Sequence, residues 1–173
     1  MDGVIIRSAK VSDAAGIAKV HVETWQCAYK GQIPNSYLNS LSIEKRAGTW
    51  KKQLETPDVG THTLVAEVDG QIVGWCTVGV SRDGDASQEV GELYGIYILP
   101  AHAGKGAGSQ LMTKALETLK KEGYKKATLW VLDTNEKTKS WYTRKGWSIE
   151  GKTKVDKRDG FDLNETRYSI DLQ

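Results

Sequence analysis

The chain has 173 residues, 39% of them hydrophobic and 27% charged, with 18 Gly, 3 Pro and 2 Cys. That length and apolar content suit one compact domain over residues 1–173 that buries roughly 70% of its unfolded surface, and they exclude disordered and fibrous classes. Twenty-four Lys and Arg against 22 Asp and Glu leave a net charge of +2, too little for a global field that gathers nucleic acid or an anionic membrane. No apolar run approaches the ~20 residues of a membrane helix, and the polar start Met1-Asp2-Gly3 lacks a signal peptide's apolar core. A cytoplasmic protein without nucleic-acid or membrane partners is the expectation. Cys27 and Cys76 are too distant for C-x-x-C chemistry and read as small buried hydrophobes.

In chain order, Val4 to Arg7 is a short β-branched run, and Ser12 is placed to cap a helix through about Tyr29. Ile17, Val20, His21, Trp25 and Ala28 give that helix one apolar face. Pro34-Asn35 predicts a turn, and a second helix starts at Ser42, with Ile43, Ala47, Trp50 and Leu54 in phase and Pro57 ending it. The period then changes to two. Leu64, Ala66 and Val68 alternate with polar neighbours, Asp69-Gly70 suits a primed turn, and Ile72 to Val80 completes a hairpin. An acidic loop, Arg82 to Ser87, precedes a longer strand from Glu89 to Leu99 that Pro100 ends. Leu111, Met112, Ala115, Leu116 and Leu119 stripe a helix over residues 108–122, with Gly123 as its stop. Ala127 to Leu132 reads as a buried strand, Asn135 caps a helix to about Lys145, and two strands, 147–155 and 163–170, close the chain around Asp159-Gly160. The order β-α-α-β-β-β-α-β-α-β-β predicts an α/β fold of the α+β mixed-sheet kind, with one parallel crossover over residues 89–132.

Chemistry concentrates at His102-Ala103-Gly104-Lys105-Gly106-Ala107-Gly108, between the end of a strand and the start of a helix. Glycines at alternate positions let the main chain approach a ligand, and the free amides of the helix start favour an anion such as a diphosphate. A plain tight turn has the same composition. Lys105 is followed by Gly106 rather than Ser or Thr, so a Walker A loop is not formed. The last glycine stands one residue early for a dinucleotide fingerprint, and the ribose-binding acid is missing at its usual distance. His21, His62 and His102 lack metal-ligand spacing, so no metal is expected, and no G-x-S-x-G elbow is present.

The segment from Glu92 to Pro100, the glycine turn, the helix after it, and Asn135 through Trp147 resemble the GCN5-related N-acetyltransferases (GNAT). Residues 103–108 are similar to that family's [QR]-x-x-G-x-[GA] motif, with the departure that Ala103 stands where Gln or Arg is usual. The resemblance is close over residues 89–148 and loose over the whole order of elements. It implies acetyl-CoA as co-substrate, lying in an opening where the parallel strands 93–99 and 127–132 splay apart. It further implies contacts to the cofactor from Ile96, Tyr97 and Ile98, from Ala103, Gly104, Lys105, Gly106, Ala107, Gly108 and Ser109, and from Asn135 and Tyr142. Asn135 has a second reading as a helix cap, and the two roles are compatible.

Transfer to an amine needs a base and an acid. Glu92 stands at the offset of the catalytic Glu in histone-type members of the family and is the candidate base, with a structural strand charge as the alternative. Tyr142 in Trp141-Tyr142-Thr143-Arg144-Lys145-Gly146-Trp147 is similar to the family's F-Y-x-x-x-G-F segment and is the candidate acid, with Trp141 left to pack. For the acceptor, a small-molecule or peptide amine, the resemblance brings Trp25, Tyr29 and Glu92 into consideration, beside the acidic residues Asp83, Asp85 and Glu89. Trp25 and Trp50 also sit on apolar helix faces and read as core. A non-catalytic acetyl-CoA sensor on the same fold is the alternative function. Homodimers are frequent in the family.

Overall fold

The structure, a computed structural model, describes residues 3–173; Met1 and Asp2, at the polar start, lie outside the described residues. The elements are β1 (Val4–Ser8), α1 (Ala14–Ala28), α2 (Asn35–Ser40), α3 (Ile43–Glu55), β2 (His62–Val68), β3 (Gln71–Val80), β4 (Val90–Ile98), α4 (Ala107–Lys121), β5 (Lys126–Leu132), α5 (Glu136–Arg144), β6 (Ser148–Arg158) and β7 (Phe161–Asp171). Seven strands form one mixed sheet in the order β1-β2-β3-β4-β5-β7-β6. Only β4 and β5 run parallel, joined by the predicted crossover through α4.

Local chemistry explains most boundaries. Asp69 and Gly70 both have positive φ, 50° and 79°, which makes the two-residue primed turn between β2 and β3. Ser42 Oγ accepts from the Lys45 amide and caps α3. Ser12 does not cap α1. It lies inside a 3₁₀ turn, Val11–Asp13, where the Asp13 carboxylate accepts from the Lys10 amide at 2.7 Å and from Arg7 at 2.7 and 3.0 Å. The helix therefore starts at Ala14. Pro34 precedes a one-and-a-half-turn helix, α2, where only a turn was expected; as the N-cap its carbonyl accepts from the Tyr37 and Leu38 amides. Cys76 is buried as expected, but Cys27 is exposed near the end of α1.

The sheet is covered on both faces. Leu111 of α4 packs over Gly74, where any Cβ would meet Ile98 and Leu111, and Leu119 packs over Gly91. Tyr142 of α5 faces Tyr168 on the same side, with ring centroids 6.5 Å apart. On the opposite face, His21 of α1 and Trp50 of α3 enclose Trp75 of β3. The main core is continuous across these layers, and a smaller cluster of Ile33, Leu38 and Leu163 ties α2 to the β6–β7 hairpin.

Candidate active site

The parallel pairing of β4 and β5 covers three residue pairs only, Val90 with Lys126, Gly91 with Ala127 and Glu92 with Thr128. Both strands run on, to Ile98 and Leu132, without sharing a further rung. Neither is frayed: β4 stays paired with β3 up to Ile98, and β5 with β7 up to Leu132. The result is a wedge held open from both sides. The Leu99 amide donates to Val73 O at 2.8 Å, so strand alternation turns the main-chain groups of Ile98 and Ile96 toward the opening. Thr24 of α1 reaches the same edge, its hydroxyl donating to Ile98 O at 3.4 Å.

Beside the open end of the wedge lies the glycine turn. Gly104 and Gly106 have φ of 74° and 94°, a region that strains other residues, and a Cβ at either would meet nothing within 4 Å. Gln110 makes the first helical bond of α4, to Gly106 O, and the preceding amides of residues 107–109 open at the helix start. Ala103 is an exception among the residues assigned to the cofactor, because its amide donates to Pro100 O. Gly108 differs in that the ring of Trp141 packs against it and would stand 3.3 Å from a Cβ there. Lys105 is exposed on the turn. Asn135 caps α5 through a 3.4 Å contact from the Thr138 amide.

Glu92 is 1% exposed, and both its oxygens are occupied by Arg82, one by the main-chain amide at 2.9 Å and the other by the guanidinium at 2.6 Å. Its orientation depends on a β-bulge. The β3–β4 register shifts between Thr77 and Val78, leaving Tyr94 as the extra residue. Without that insertion Glu92 would point to the α4 face; with it, Glu92 lies on the face of Tyr97. Across the ladder Thr128 Oγ1 is buried with no hydrogen-bond partner.

A row of rings crosses the wedge on the α1 side. His21 stacks on Trp25, Trp75 and Tyr97 at centroid distances of 5.8, 5.6 and 6.1 Å, and Trp25 meets Tyr29 edge-on at 4.9 Å. Tyr142 enters from the other face. It is 6% exposed, while Trp141, the more open of the two, packs against α4 at Gly108. Burial, and then the Tyr97 phenol, push the Tyr142 phenol well above the usual tyrosine range, so it holds its proton. Tyr29 is pushed upward by burial first, then by the phenols of Tyr97 and Tyr142 and the carboxylate of Glu165.

His21 supplies a pH test of this packing. Burial, aided by Arg46, lowers its pKa from 6.5 to about 4. The unfolded chain then binds the proton first on acidification, so this contribution is complete above pH 6.5 and is lost progressively as pH falls toward 4. The loss is on the order of 3 kcal/mol. Urea unfolding across that window is expected to show a stability slope that His21→Phe removes.

The acidic loop is not a free negative surface. Arg167 of β7, 9% exposed, binds Asp85 at 2.8 and 3.0 Å, Asp83 at 3.2 Å and Glu150 at 2.6 Å. Asp83 also accepts from Trp130 Nε1 at 3.0 Å, and Lys152 approaches Asp85 at 3.5 Å. Glu89 is exposed and stands apart. Arg82, Arg167 and Glu165 were not singled out by sequence reasoning. A signal existed for two of them: Glu165 and Arg167 fall in phase with Leu163 on a strand, where charged residues at inward positions are unusual.

The Acetyltransferase (GNAT) family model matches residues 21–147. The chain belongs to the GNAT family. An uncharacterised N-acetyltransferase of Bacillus subtilis, YuaI, is 33% identical to this GNAT protein over 132 residues, 76% of this chain and 73% of that one. Another, from Archaeoglobus fulgidus, is 30% identical over 138 residues, 79% of this chain and 88% of that one. The fold is that of PaiA N-acetyltransferase from Thermoplasma acidophilum, solved with coenzyme A, at TM-score 0.72 and 22% identity, covering 98% of this chain and 99% of that one. YncA of Salmonella typhimurium, solved with acetyl-CoA, gives TM-score 0.73 at 19% identity, covering 99% and 95%. This GNAT chain is accordingly an acetyl-CoA-dependent acetyltransferase. Among the described residues, no helix is long and apolar enough to cross a membrane.

Proposed function

We propose that the enzyme transfers the acetyl group of acetyl-CoA directly to a primary amine of a small molecule or peptide. The observation that carries this reading is the fixed wedge between β4 and β5, set beside an exposed turn of glycines at a helix start. An acyl-pantetheine arm laid along Ile96, Tyr97 and Ile98 takes the main-chain bonds that β5 leaves unmade, and Asn135 flanks it. The amides of Gly104 through Ser109 receive the diphosphate, with Lys105 adding charge. A main-chain amide at the wedge aimed at the thioester oxygen stabilises the oxyanion by roughly 3–4 kcal/mol.

The acceptor arrives as an ammonium, and removing its proton at pH 7 costs about 4–5 kcal/mol. Arg82 holds both oxygens of Glu92, so the proton reaches Glu92 through water rather than by contact. The free amine attacks the carbonyl carbon, the C–N bond forms, the C–S bond breaks, and the departing sulfur is protonated at Tyr142. The Tyr142 phenol stays neutral through the working pH range and donates as charge grows on sulfur.

A thiol-release assay against monoamines, polyamines, aminoglycosides, amino acids and peptides tests the reaction. Tyr142→Phe keeps the ring and its packing, so acetyl-CoA affinity is expected to hold while kcat falls by roughly a hundredfold or more. An unchanged kcat rejects Tyr142 as the proton donor. Thiol release with none of the amines, together with tight acetyl-CoA binding, would instead favour a sensor.

A further inference from the structure

The face of the sheet opposite α4 carries many charges, and almost all are neutralised in place. Arg82 holds Glu92. Arg167 gathers Asp83, Asp85 and Glu150, and Arg158 holds Asp156. Lys154 lies over the Trp130 ring at 4.3 Å. Glu165 is different: it is half-buried and makes no hydrogen bond or ion pair with any described residue.

Its position follows from register. Glu165 pairs with Leu132 at the end of β5, the last rung before the wedge is bounded by β7. On the other side it pairs with Lys154 of β6. Directly paired residues share a face, and so do positions two apart, which places Glu165 between Leu163 and Arg167 on the side of Trp25 and Tyr29. Leu132, Leu163, Trp25 and Tyr29 belong to one apolar cluster. The Glu165 carboxylate is near enough to raise the Tyr29 and Tyr97 phenols, and burial pushes its own pKa upward despite Lys154, Arg158 and Arg82. An unpaired carboxylate held at such a place costs folding energy, which a cation on a bound ligand would offset.

We propose that Glu165 receives the ammonium of the acceptor, while Trp25, Tyr29 and Leu132 take the apolar carbon frame that carries it. The acceptor class is then a primary monoamine with an apolar body. A polycation is disfavoured, since Lys154 stands opposite Glu165 on β6 and repels further positive charge. This inference rests on the reading of the wedge as the site of acetyl transfer.

The test is calorimetric titration of the full chain, loaded with coenzyme A, with 2-phenylethylamine, its uncharged counterpart 2-phenylethanol, and spermidine. Wild type is expected to prefer 2-phenylethylamine over both. Glu165→Gln is expected to weaken the amine by roughly tenfold to a hundredfold, leave the alcohol unchanged, and leave Tm equal or higher because an unpaired charge is removed. Equal amine affinity in the two proteins, absence of amine binding to wild type, or tighter binding of spermidine would overturn the assignment. A lowered Tm with parallel loss of amine and alcohol would show a structural role and overturn it as well. Thiol release is followed in parallel samples loaded with acetyl-CoA: amine binding without release supports the Glu165 contact and counts against acetyl transfer.

Discussion

Gly106→Val is expected to lower acetyl-CoA affinity by at least about a hundredfold, which corresponds to losing one or two charge-assisted hydrogen bonds. Gly106 sits at φ 94° in an exposed turn, with open space where a side chain would project. Valine brings two effects there. The left-handed conformation strains a β-branched residue by about 1–3 kcal/mol, and the isopropyl group shields the amides that begin α4. Gly123→Val separates them, because Gly123 has nearly the same φ, 96°, and the same open surroundings at the far end of the same helix. Both variants are expected to lose similar thermal stability, and only Gly106→Val to lose coenzyme A binding by calorimetry. Equal affinity in the two variants would mean that the turn does not hold the diphosphate.

Arg167→Met is expected to destabilise the fold by about 3 kcal/mol, at the low end for breaking a buried ion network from one side. Methionine replaces the aliphatic volume, but Asp83 and Glu150, whose side chains are 13% and 20% exposed, lose their main counter-charge. The loss is moderated because Lys126 still reaches Glu150 at 3.0 Å and Trp130 still donates to Asp83. The consequence extends to activity. Asp83 and Asp85 anchor the loop between β3 and β4, and that loop carries Arg82, whose amide and guanidinium hold Glu92. Releasing the anchor is expected to lower kcat more than acetyl-CoA affinity. Arg167→Lys keeps the charge without the planar fork and is expected to recover part of the stability only. Urea unfolding and steady-state kinetics on both variants check these outcomes; a loss below about 1 kcal/mol for Arg167→Met would remove the network's structural importance.

Much of the architecture was legible because local chemistry and tertiary structure agree. Asp69-Gly70 makes the turn it favours, Ser42 and Asn135 cap the helices they precede, and the apolar stripe of α4 lies on the sheet. The glycines at 104 and 106 lie between a strand end and a helix start, as read, and both have positive φ. Where expectations failed, a distant partner had intervened. Asp13, gripped by Arg7 of β1, delays α1 beyond Ser12. The charges of Asp83 and Asp85 looked available to a ligand, yet Arg167, more than eighty residues away, consumes them.

The amino-acid sequence alone determined the kind of the elements and, α2 apart, their order, together with the glycine turn at a helix start, since each depends on residues within a few positions of one another. Tertiary structure alone decided how those groups are used. Which way Glu92 points depends on one inserted residue in a ladder with β3, and whether a carboxylate is neutralised or left open, as for Asp85 and Glu165, depends on cations brought by other strands. Pairing and burial are properties of contacts distant in the chain, and no local pattern encodes them.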